Sequence, residues 1–122
     1  MSEDIARLPP EIQQSLLKLQ QMQQTLQGLL SQKQQLEMQL TEVEQALSEL
    51  EKMSETAVIY KSIGALLVKS QKATVTEELK ERKELLTMRV SVLSKQDERL
   101  RTQVKDLQEK LQKDLRPVSG SP

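Results

Sequence analysis

Residues Ala57–Ser70 read AVIYKSIGALLVKS, a short apolar block of β-type composition inside a chain whose flanks follow a helical pattern. Val58-Ile59-Tyr60-Lys61 and Leu66-Leu67-Val68-Lys69 are β-rich runs around Ser62-Ile63-Gly64-Ala65, where Gly64 can take a positive φ in a tight turn. The block therefore reads as a β-hairpin over residues 57–70, and the β-branched cluster with Gly64 argues against its continuing either flanking helix. Leu66, Leu67 and Val68 put apolar side chains on both faces of the second strand, so one side cannot rest in water. An isolated two-stranded hairpin is marginal and leaves two edges unpaired. Other subunits are expected to complete it, with Val58, Ile59, Tyr60, Ile63, Gly64, Leu66, Leu67 and Val68 as the assembly residues.

Upstream, Leu8-Pro9-Pro10 precedes a long heptad run. Proline is tolerated in a helix's first turn, so Pro10 near the first helical position, followed by Glu11, marks a start. The 3-4 spacing then runs through Ile12, Ser15, Leu19, Met22, Leu26, Leu29, Lys33, Leu36, Leu40, Val43, Leu47 and Leu50, broken only by Ser15 and Lys33. The register predicts a coiled-coil helix over 8–55, roughly 60 to 65 Å long. Gly28 falls on the solvent side of that register, where it costs about 1 kcal/mol relative to Ala without breaking the helix.

Downstream the pattern resumes with Leu79, Lys83, Leu86, Val90, Leu93, Asp97, Leu100, Val104, Leu107 and Leu111. Thr74-Val75-Thr76-Glu77 fits a capping box, with Glu77 and Glu78 as first-turn acids, so a second coiled-coil helix is predicted over 75–115. Pro117 is expected to stop it and leave 116–122 as a flexible tail. Two heptad helices of similar length bury their seams most simply on each other, antiparallel, within one domain spanning residues 1–122. Lys33 and Asp97 lie at nearly equal distances from Gly64, so the two seam charges are expected to meet and set the coil register.

Composition narrows the function classes. The chain has 122 residues, 36% hydrophobic and only 1% aromatic, too few bulky side chains to close a conventional globular core. Lys plus Arg balance Asp plus Glu at 18 each, so no net field draws nucleic acid or an anionic membrane. Cysteine and histidine are absent, which excludes thiolate chemistry, histidine base catalysis, the usual zinc ligand sets and disulfides. Nothing resembles an active site, and no enzyme activity, metal or cofactor is expected. No apolar stretch approaches a membrane span or a signal-peptide core, so a cytoplasmic location is expected. The glutamine-rich part of the first helix, from Gln13 to Gln35, consists mostly of solvated helix positions between heptad leucines.

The order long helix, VIYKSIGALLVK, TEELKER, long helix resembles the β-type prefoldin subunits, the archaeal ones in particular, over residues 8–115. Val58-Tyr60-Lys61, Gly64 and Leu67-Val68-Lys69 match that family's hairpin block, and a single hairpin is the β-type arrangement, whereas α-type subunits have two. The resemblance implies a hexamer of two α-type and four β-type subunits, with hairpins joined into β-barrels from which the coiled coils hang. It also implies an ATP-independent chaperone that holds unfolded proteins and delivers them to a group II chaperonin.

The termini carry more apolar residues than one seam needs: Ile5, Leu8, Leu16, Leu17 and Leu115 join Ile12, Leu19, Leu107 and Leu111. Surplus apolar surface marks a partner site, and these nine are the expected client-binding residues, with Met22 as an adaptable neighbour. Two other classes share the helices. A structural oligomerisation coil needs no hairpin block, and a nucleic-acid-binding helical arm needs a basic stripe that the balanced charges do not provide.

Overall fold

Helix α1 (Pro10–Glu51), strand β1 (Val58–Ile63), strand β2 (Leu66–Gln71) and helix α2 (Lys72–Gly120) follow one another along the chain. They come from a computed structural model that describes residues 7–120. The architecture is the expected one: two long helices, 42 and 49 residues, joined by one antiparallel hairpin.

Burial follows the heptads. All twelve expected seam positions of α1, from Ile12 to Leu50, are buried or half-buried, including the polar Ser15 and Lys33. In α2 the same holds from Leu79 to Leu111, except that Lys83 is exposed. Gly28 is exposed, and a Cβ added there would meet nothing within 4 Å. Helical threonines on the solvent side satisfy their hydroxyls locally: Thr25, Thr41, Thr87 and Thr102 each donate to the carbonyl four residues back.

The chain divides into two compact units, Lys33–Val92 and the residues up to Gln32 together with those from Leu93 onward. In the unit 33–92 the buried side chains are Val43, Leu50 and Leu86. There the helices run antiparallel: Arg82 Nη2 donates to Gln39 Oε1 at 3.5 Å, and Glu44, Leu47, Ser48 and Glu51 share a groove with Lys72, Thr76, Lys80 and Lys83. In the other unit Val104 and Leu111 are buried. Its α1 begins at Pro10, two residues after the expected 8 and with that proline in the first turn, and the Pro9 carbonyl accepts from the backbone N–H groups of Ile12 and Gln13.

Several boundaries differ from expectation. Helix α1 ends at Glu51 instead of 55, because the chain turns over Lys52–Thr56, where Met53 N donates to Leu50 O and Ala57 N to Ser54 O. The hairpin turn is tighter than Ser62–Ala65: β1 runs to Ile63 and only Gly64 and Ala65 connect the strands. Helix α2 starts at Lys72, directly after β2, so Thr74 is inside the helix and does not cap it, and the first turn holds no acid. At that start Lys72 Nζ donates to Met53 O at 2.8 Å and Glu55 Oε1 at 3.1 Å. At the other end α2 passes Pro117 and continues to Gly120. Pro117 has no backbone N–H to donate, so the Lys113 carbonyl goes without its usual intrahelical donor.

Candidate functional site: the two-sided hairpin

The hairpin is built from residues whose backbone preferences already favour it. Val58, Ile59, Ile63 and Val68 are β-branched, and stiff side chains of that kind suit a pleated strand. Gly64 takes φ +56°, and no other residue type in the described chain has a positive φ. A positive φ at the first of two turn residues is the sign pattern of a type II′ hairpin turn, whose twist matches that of the strands. The register then pairs Ile63 with Leu66, Lys61 with Val68, Tyr60 with Lys69 and Val58 with Gln71.

Directly paired residues share a face, so the register sorts the side chains. One face carries Val58, Tyr60 and Leu67; the other carries Ile59, Ile63, Leu66 and Val68. Of these only Ile59 is half-buried, together with Lys61 and Ser70 on its own face. Leu67 is 72% exposed and Tyr60 62%, and Val58, Ile63, Leu66 and Val68 are also exposed. Covering each of these side chains would contribute on the order of 1 kcal/mol, since about half or more of most of them already faces solvent. The described sheet has two strands, so each strand also has an outer edge of unpaired backbone groups. Apolar faces and open edges together form a surface that another strand and another apolar layer can complete.

The base of the hairpin is tied to the helices by two lysines that the heptad and strand patterns do not reveal. Lys61 Nζ donates to Glu78 Oε2 of α2 at 2.6 Å. Both side chains are more than a third exposed, so this pair contributes about 0–1 kcal/mol and mainly orients β1 on α2. It also occupies a strand lysine that would otherwise guard against edge pairing. Lys72 closes the opposite corner through Met53 and Glu55. Sequence reasoning missed both because their partners lie 17 and 19 residues away and become neighbours only when the strands reverse the chain.

The expected client residues divide by environment. Ile5 lies outside the described residues. Leu8, Ile12, Leu16, Leu19 and Leu107 are half-buried, Leu111 is buried, and Leu17 and Leu115 are exposed. The unit that contains them has a groove of about 410 Å³ lined by Lys18, Met22, Gln103, Asp106, Leu107 and Lys110. Met22 and Leu107 are its apolar lining, and Lys18, Asp106 and Lys110 its charged lining. The seam charges each take a partner one turn along their own helix: Lys33 with Glu37 at 3.9 Å, and Arg101 Nε donating to Asp97 Oδ2 at 2.9 Å. Asp97 Oδ1 is buried and makes no hydrogen bond.

No helix among the described residues is long and apolar enough to cross a membrane, and no described cluster of carboxylates could hold a metal ion. The prefoldin subunit family model matches residues 13–117. The prefoldin subunit beta of Methanosarcina acetivorans is 44% identical over 112 residues, covering 92% of this chain and 96% of that protein. That of Thermococcus onnurineus is 44% identical over 113 residues, with 93% and 97% covered. The crystal structure of the prefoldin beta subunit from Thermococcus strain KS-1 matches with a TM-score of 0.85 at 40% identity, over 91% of this chain and 97% of that one. Sequence, helix order and single hairpin agree, and the chain belongs to the prefoldin subunit family, whose members are chaperone subunits and not enzymes.

Proposed function

We propose that this chain is a β-type subunit of a cytoplasmic, ATP-independent holdase, assembled with α-type subunits and further copies of itself as two α-type and four β-type chains. The observation that carries the reading is the hairpin: both faces are apolar and exposed, and both strand edges are open. Burying that surface in a joined β-barrel satisfies edges and faces together. Client binding is assigned to the unit with the two helix ends, through Ile5, Leu8, Ile12, Leu16, Leu17, Leu19, Leu107, Leu111 and Leu115. Exposed Leu17 and Leu115 offer immediate contact, and local opening of the seam would add the others. An apolar surface of this kind accepts many unfolded sequences, and a group II chaperonin is the proposed recipient of the held client.

Light scattering on the chain alone and mixed with an α-type subunit, followed by holding of a denatured client without nucleotide, tests the assembly and the activity. The mixture is expected to form one hexameric species that suppresses client aggregation. Failure to co-assemble overturns the reading. Replacing Leu66 and Val68 by charged residues should abolish assembly, and its persistence would favour a simple coiled-coil tether. Deleting residues 1–11 and 112–122 should reduce aggregation suppression while assembly persists; unchanged holding would remove the assignment of clients to the helix ends.

A further inference from the structure

Three heptad positions of the seam are charged, Lys33, Lys83 and Asp97, and their side chains differ in reach. Lys83 is exposed, and Lys33 keeps 28% of its side chain in solvent beside Glu37. A lysine stem can lie along apolar surface and still carry its ammonium to water. Asp97 has no such stem. Its side chain is 16% exposed, Arg101 Nε donates to Oδ2 at 2.9 Å, and Oδ1 is buried without a hydrogen bond. A carboxylate oxygen shut away from water without a partner disfavours the closed seam, and opening the seam returns that oxygen to water.

The α1 part of the same unit offers little to offset that cost. Every seam position of residues 12–29 is half-buried and none is buried, whereas Val43 and Leu50 of α1 are buried in the unit 33–92. Among the described residues no ion pair involves α1 before Lys33, and residues 19–32 contain no charged side chain. Half-buried apolar contacts therefore hold this stretch of α1 without electrostatic support, in the unit whose seam also carries Asp97.

We propose that Asp97 sets how readily the seam of the helix-end unit opens. Its half-paired carboxylate narrows the free-energy gap between the closed seam and a locally open one, so that α1 over 12–32 separates from α2 more often than apolar heptads alone would allow. The proposal rests on the assignment of clients to the helix ends given above and names what controls it: opening uncovers Leu19, Leu107 and Leu111, which the closed seam covers in whole or in part. Glu98, the next residue, is exposed, and its carboxylate gains nothing when the seam opens.

Amide hydrogen exchange of the full-length chain, read by mass spectrometry over residues 12–32 and 36–50, tests the proposal. Asp97→Leu is expected to slow exchange over 12–32 by about tenfold, the scale of one buried unpaired acceptor, and to leave 36–50 unchanged. Asp97→Asn keeps the shape, drops the charge and adds no apolar packing, so it should slow 12–32 in the same direction by a smaller factor. Glu98→Leu removes the same charge from an exposed position of the same helix and should change neither segment. Asp97→Asn that exchanges at the unsubstituted rate or faster overturns the proposal, because the gain from leucine would then be packing alone. Equal slowing by Asp97→Leu and Glu98→Leu overturns it as well. Mixed with an α-type subunit, Asp97→Leu should hold less denatured client while assembly persists. Slowed exchange with unchanged holding supports the role of Asp97 and removes the assignment of clients to this seam, so the two readings fail separately.

Discussion

Leu86 and Leu67 are the same residue in the same chain, yet one is 3% exposed and the other 72%. Leu86 belongs to a seam that one polypeptide can close, because α1 and α2 each supply one apolar face and the connector lets them meet. Leu67 belongs to a sheet of two strands with apolar residues on both faces, and one polypeptide has only one set of helices to lay against it. The seam is thus covered within the chain, and the hairpin keeps apolar side chains that the chain leaves exposed.

Substituting one residue in each region separates the two roles. Leu86→Ala removes buried methylene groups and should cost about 2–5 kcal/mol of unfolding free energy in denaturant titration. Leu67→Glu should change the stability of the isolated chain by less than about 0.5 kcal/mol, as exposed substitutions do, while preventing assembly in sedimentation. If Leu67→Glu destabilised the isolated chain as strongly as Leu86→Ala, the distinction between the regions would be wrong.

The two well-placed glycines sharpen it further. Gly64→Ala forces a Cβ into the left-handed region and should cost about 1–2 kcal/mol, with weaker assembly, even though the site has open space. Gly28→Ala sits in an exposed helix interior with open space and should raise stability by about 1 kcal/mol. Thermal unfolding of both variants should move in opposite directions.

A smaller effect concerns the polar seam positions. The proposal that Lys33 and Asp97 set the register together calls for a coupling of about 0.5 kcal/mol or more in the cycle of Lys33→Leu and Asp97→Leu. Additive effects would reduce each to its own intrahelical partner, Glu37 or Arg101.

Much of this arrangement was legible beforehand. The seam could be read because a 3-4 spacing of leucines specifies which side of a helix is covered, whatever covers it. The hairpin could be read because Gly64 and the β-branched residues act on their own backbone. Boundaries were less legible. Local capping chemistry places the start of α2 near Thr74-Glu77, but the helix already begins at Lys72, whose side chain reaches Met53 and Glu55. Pro117 is expected to end α2, whereas the helix continues to Gly120.

By itself, then, the sequence determined what depends on periodicity and local backbone preference: two heptad helices, a β-hairpin between them, and an apolar surplus in that hairpin. Tertiary structure decided which surplus stays uncovered. Register alone sorted Val58, Tyr60 and Leu67 from Ile63, Leu66 and Val68 into two exposed faces, and folding alone brought Lys61 to Glu78 and Lys72 to Met53. The physical reason is distance along the chain. Local torsions can be read one residue at a time, whereas these contacts exist only after the chain has reversed.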